Sequence, residues 1–156
     1  MTENQENLKE LKFKLTKSKY KSKGKVNKPE DLCNVFFDLK DWAKETMLGV
    51  YISNDLEINL YAVLSVGTKT CTVVAIPEIL DNAIITRSEN IILIHNHPAG
   101  DPNPSEEDLK FIEAIKKAAE ATERTLLDFI IIGDNQKYWS MFESEDGGEY
   151  SLGKAF

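Results

Sequence analysis

The stretch NIILIHNHPAGDPNPSEED, residues 90–108, changes character three times in nineteen positions. Residues 90–94 form an almost unbroken apolar run, as expected of a strand buried on both faces. His95-Asn96-His97 follows and contains both histidines of the chain. Strand side chains two apart leave the same face, so a strand continuing that far points both imidazoles one way. Residues 98–104 hold three of the five prolines, a loop with φ restricted at three positions. Ser105 then opens an amphipathic helix running to Thr122, with Asp108 on the face it shares with Ile112, Ile115 and Ala119.

Two neutral imidazoles projecting together are a way to converge on one divalent metal. A carboxylate aimed at the core must be paired, protonated or metal-bound, and Asp108 is aimed there. It is the candidate third ligand after His95 and His97. Three protein ligands with a fourth position for water is the pattern of catalytic zinc, not of a closed structural site. A second reading of the same residues needs no metal. Ser105 followed three positions later by an acid resembles a capping box, with Asp108 complementing the helix dipole. Hydrolysis also requires a base. Glu45 sits at an element boundary ahead of an expected strand, although on the residues alone a solvated helix-terminal acid is the better reading of that position.

Working outward, 156 residues suit one domain of ordinary size. Pro29 opens a helical pattern that places Leu32, Val35, Phe36, Leu39, Trp42 and Ala43 on one face. Strands are expected over 47–53 and 57–66, around the turn signal Asn54-Asp55, and again over 70–76. A short helix over 77–85, a strand over 127–132 and a last strand over 137–142 complete an α/β pattern. Residues 11–143 are expected to form the domain, after a disordered stretch over 1–10 and before a flexible tail over 144–156.

The net charge of −7 is unevenly spread. Between Lys9 and Lys28 stand nine lysines and one acid, so the rest of the chain carries −15. Such an acidic body repels a phosphate backbone, and nucleic-acid binding is expected to be weak or absent. Residues 11–15 alternate apolar and basic, which predicts a short edge strand protected by lysine; a nucleic-acid patch is the other reading. The polar start, the absence of ~18 consecutive apolar residues and the isolation of Cys33 and Cys71 predict a cytoplasmic chain with no membrane association.

His95, His97, Ser105 and Asp108 match H-x-H-x(7)-S-x-x-D, and this motif resembles that of the JAB/MPN (JAMM) metalloproteins. The whole 95–108 stretch is similar, more narrowly, to the RadC-like branch. Lys28-Pro29-Glu30-Asp31, Val66-Gly67-Thr68, Pro77-Glu78-Ile79 and residues 127–133 extend the likeness across roughly 11–143. The resemblance implies a mixed β-sheet flanked by helices in a single domain, the JAB/MPN (cytidine-deaminase-like) fold. It implies a zinc ion on His95, His97 and Asp108, with Ser105 assisting the oxyanion and Glu45 as general acid/base. Met47 stands where the family usually has an aromatic residue, and Phe129 where a histidine is common.

The function expected from motif and resemblance together is a zinc-dependent hydrolase of peptide or isopeptide bonds acting on a protein or peptide substrate. The alternative is a RadC-like DNA-repair or DNA-processing accessory protein with the metal site in a non-proteolytic role. Longer RadC proteins carry an N-terminal helix-hairpin-helix region, for which this chain leaves no room. A nucleoside deaminase would need P-C-x-x-C, which Cys33 and Cys71 cannot supply.

Overall fold

In the computed structural model, residues 14–21, 24–67, 75–145 and 150 are described. β3 (Asn90–Asn96), buried along its whole length, lies at the centre of a five-stranded sheet. On one side it pairs antiparallel with β1 (Thr46–Ile52), which pairs antiparallel with β2 (Ile58–Val66). On the other side it runs parallel to β4 (Thr125–Ile132), and the short β5 (Tyr138–Ser140) closes that flank antiparallel to β4. The order β2-β1-β3-β4-β5 makes a mixed sheet in one α/β domain.

Alternation along the strands sends side chains into two cores. Leu48, Val50, Ile52, Ile92, Ile94 and Ile130 face α1 (Pro29–Val35) and the 3₁₀ helix Phe37–Asp41, where Leu32, Phe36 and Leu39 are buried. Met47, Tyr51, Ile91, Leu93, Phe129 and Ile131 face α2 (Ile76–Ile85) and α3 (Glu106–Ala121), which contribute Ile79, Ala83, Ile112 and Ile115. A final short helix, α4 (Met141–Glu145), follows β5 directly. Among the described residues no helix is long and apolar enough to cross a membrane.

Several boundaries differ from expectation. The helix expected from Pro29 through Ala43 is split: α1 ends at Val35 and a 3₁₀ helix continues to Asp41. The change of pitch keeps Leu39 under Phe36 but leaves Ala43 exposed beyond the end. Of the strand expected over 11–15, residues 11–13 lie outside the described residues, and Lys14 and Leu15 belong to no strand. Further along the chain, Tyr20 packs edge-on against Phe36 and Tyr61. Of the strand expected over 70–76, residues 70–74 lie outside the described residues. Ile76 begins α2, where Pro77 supplies the preset φ of a first helical turn.

The last strand stops at Ser140, whose hydroxyl accepts from the Glu143 N–H and so starts α4. The tail expected from residue 144 is also partly tied down. Tyr150 is buried and donates to Asp128, and its N–H donates to the Asn27 carbonyl.

Candidate metal centre

β3 ends where the loop over 97–105 begins, and its register decides what meets there. Met47 of β1 is opposite His95, so the residue before β1, Glu45, arrives beside the end of β3. His95 and His97 leave the face occupied by α2 and α3, and the N-terminus of α3 brings Ser105 and Asp108 to them. Glu45, His95 and His97 therefore come together, and Asp108 reaches His97.

The Glu45 Oε1 lies 2.6 Å from His95 Nε2. A carboxylate oxygen accepts, so this ring nitrogen donates. His97 Nε2 lies 3.3 Å from Asp108 Oδ2, and its Nδ1 donates to the Asp101 carbonyl at 2.8 Å. That carbonyl leaves Nε2 of the neutral ring as the nitrogen facing the cleft. The two rings meet edge-on, 4.9 Å between centroids. Both readings of Ser105 and Asp108 find support. The Ser105 Oγ accepts from the Asp108 N–H, and Asp108 Oδ2 accepts from the Ser105 N–H and hydroxyl, a complete capping box. The same carboxylate is the one that touches His97.

The electrostatics follow from burial and from these bonds. Burial opposes ionisation of Asp108, but donors from His97 and Ser105 outweigh it and hold the carboxyl at about 2. Its bond to Asp108 raises the His97 ring above the ordinary imidazole value, against partial burial. His95 is only 2% exposed, and burial lowers its ring below that value despite the nearby carboxylates of Asp108 and Glu45.

These residues fit a divalent cation. Ligand atoms of Glu45, His95 and His97 all lie within 4.8 Å of one another, whereas Asp108, the third ligand expected from the sequence, is not part of that group and meets His97. A tetrahedral ion with bonds of ~2.0–2.1 Å separates its ligands by roughly 3.3 Å, the spacing between His97 and Asp108. Among the described residues the buried His95 Nδ1 has no hydrogen-bond partner, so this ring is anchored there through the nitrogen that faces the cluster. The cluster opens into a cleft of about 450 Å³ whose lining includes Glu45, His97, Pro98, Asp101, Asn103 and Ser105.

The RadC-like JAB domain family matches residues 26–147. The chain belongs to this family. The matched span begins and ends later than the 11–143 over which the sequence likeness extends. A UPF0758 protein of Streptococcus agalactiae is 34% identical over 138 residues, covering 88% of this chain and 61% of the relative. One from Desulforamulus reducens is 38% identical over 109 residues, 69% of this chain and 48% of the relative. One from Methanosarcina mazei is 30% identical over 115 residues, 73% and 50% respectively. The chain thus spans about half to three fifths of the length of these relatives.

Two contributors to the site were missed from sequence. Asp101 acts through its main-chain carbonyl, which no side-chain pattern reveals. Asn96, between the histidines, turns to the opposite face, where its Oδ1 accepts from the Thr46 N–H at 2.7 Å. A polar residue amid a buried strand was the available signal, since buried polar groups are almost always paired.

Proposed function

We propose that this RadC-like JAB domain is a zinc-dependent hydrolase of peptide or isopeptide bonds. The observation that carries the reading is the placing of Glu45 against one imidazole of a two-histidine, one-aspartate set, on the wall of an open cleft. His95, His97 and Asp108 would hold the ion. Bound there, zinc supplies Lewis acidity that lowers the pKa of water towards ~7 and polarises a carbonyl.

The remaining work falls to the chain. Asp108 is fixed by its two bonds from Ser105 and cannot swing towards substrate without undoing the cap. Glu45 stands across the cleft, and lies within reach of a proton on the attacking water and later of the leaving amine. Ser105 lines the cleft, and its hydroxyl, on turning away from Asp108 Oδ2, is the donor for the carbonyl oxygen as negative charge develops, while the Ser105 N–H keeps its bond to Asp108. The choice of an amide substrate is supported by the motif His95-x-His97-x(7)-Ser105-x-x-Asp108, shared in form with JAMM proteins.

The test is metal content and turnover measured on the same preparations. Zinc-reconstituted protein should hold about one ion per chain and cleave fused ubiquitin-like or ordinary peptide substrates in a chelator-sensitive way. Asp108→Ala should lose the metal, whereas Glu45→Gln should keep it and lose turnover. Loss of metal in Glu45→Gln would make Glu45 a ligand and defeat its role as base. Chelator-sensitive DNA cleavage without peptide cleavage would overturn the substrate class.

A further inference from the structure

The tripeptide His95-Asn96-His97 sends its outer side chains to one face of the sheet and its middle one to the other. Asn96 is fully buried there, and every hydrogen bond of its side chain goes to one short segment. Its Oδ1 accepts from the Thr46 N–H, and its Nδ2 donates to the carbonyls of Trp42 and Lys44, each at 3.2 Å. Glu45 lies between Lys44 and Thr46, two of these anchor points. Residues 42–45 belong to no helix or strand, so no regular ladder orients them before β1 begins. The Glu45 carbonyl is held from the other side, by the Gly67 N–H.

We infer that Asn96 is a positioning residue that aims Glu45 at the metal-binding rings, an inference that rests on Glu45 being the base. A primary amide suits this segment because it offers one acceptor for one N–H and two donors for two carbonyls, in one plane. Aspartate at the same size keeps the acceptor but loses both donors, and alanine loses all three contacts. The same three residues thus place two ligands and, through the sheet, the acid that works beside them. A base must be within hydrogen-bond reach of its proton, so a small displacement of residues 44–46 acts on chemistry while leaving the ligands in place.

The test uses the metal-free full chain with ¹⁵N-labelled histidine, where the His95 Nε2–H held by Glu45 gives a protected ring-proton signal that Glu45→Ala abolishes. Asn96→Asp and Asn96→Ala should lose that signal and keep the His97 Nδ1–H signal. Their zinc affinity should fall by less than the roughly 10-fold that loss of a ligand's own orienting partner costs. Ser140→Ala, which removes a buried bond elsewhere, should keep both signals. The wild-type chain gives a reading that needs no variant: the Thr46 amide should exchange slowly, and fast exchange overturns the proposal. So does a His95 signal that survives in folded Asn96→Asp, or a zinc affinity lowered as far as in His95→Ala. With an active wild type, Asn96→Asp should lose kcat by the same factor as Glu45→Gln at unchanged KM. Absence of any peptide turnover defeats the hydrolase reading instead, and the ring-proton signals still decide the role of Asn96.

Discussion

At Ser105 one hydroxyl serves a helix cap and faces a cleft. Replacement by alanine should cost about 0.5–2 kcal/mol of stability as a lost cap. If the hydroxyl also steadies the developing oxyanion, kcat of folded, metal-loaded protein should fall on the order of 10²–10³. Urea unfolding beside rates normalised to metal content separates the two effects. Asp128 poses a different question on the opposite face of the sheet. It is fully buried and accepts from the N–H groups of Phe129 and Phe142 and from the hydroxyls of Ser140 and Tyr150. Burial nevertheless pushes its carboxyl up to about 6, against those four donors. A raised folded-state value means that the folded chain holds this proton more tightly than the unfolded one. The associated stability is present below about pH 4 and is lost as pH rises through 6. Relative to Asp128→Asn, which does not titrate, the metal-free wild type should lose about 2–3 kcal/mol between pH 3.5 and 7. Urea midpoints at the two pH values check this, and a constant difference rejects it.

Among elements, the loop over 97–105 depends most on its neighbours. Gly100 has φ +87° and lies against the carboxylate of Asp134, while Gly133 lies against the Gly100 carbonyl and Pro102. The Asp134 N–H donates to the Gly100 carbonyl at 2.9 Å, so the β4–β5 turn holds the loop. One residue further on, the Asp101 carbonyl orients His97. A Cβ at Gly100 meets the Asp134 carboxylate in a backbone conformation that L-residues disfavour. Gly100→Ala should therefore destabilise the chain by about 1–3 kcal/mol. It should also weaken zinc binding roughly 10-fold or more, because the ring loses its fixed partner. Thermal unfolding together with a competitive zinc titration tests both. A stability loss with unchanged affinity would show that the loop does not hold the ring.

For the whole molecule, a metal that binds only the folded chain must stabilise it by mass action. At free zinc 100 times Kd the gain is about 2.7 kcal/mol, or roughly 5–10 °C in Tm for a domain of this size. His97→Ala and Asp108→Ala should abolish the shift, and Glu45→Gln should retain it. A shift retained in Asp108→Ala would remove that residue from the ligand set. These variants address an assembly that spans the sheet: Glu45 precedes β1, the histidines end β3, and Asp108 begins α3.

Apart from Glu45, which the family resemblance singled out, the parts of this assembly that were legible in the sequence lie within nineteen consecutive residues. An apolar strand, two histidines on one face, a proline-rich loop and a capped helix with an inward aspartate are all local patterns. Period 2 and period 3.6 report which side of an element a residue takes. Periodicity does not report which elements become neighbours. Glu45 comes to His95 only because β1 and β3 pair in the register that sets Met47 opposite His95. Asn96 reaches residues fifty or more positions earlier in the chain, and Tyr150 comes back to Asp128 from beyond α4. The break after Val35 is of the same kind, because packing of Leu39 against the sheet overrides an otherwise continuous helical pattern. Sequence by itself determined the fold class, the two histidines and the aspartate that meets His97, because short-range geometry suffices there. Tertiary structure alone decided how Glu45 reaches His95 and what holds it there, because long-range strand pairing leaves no local trace.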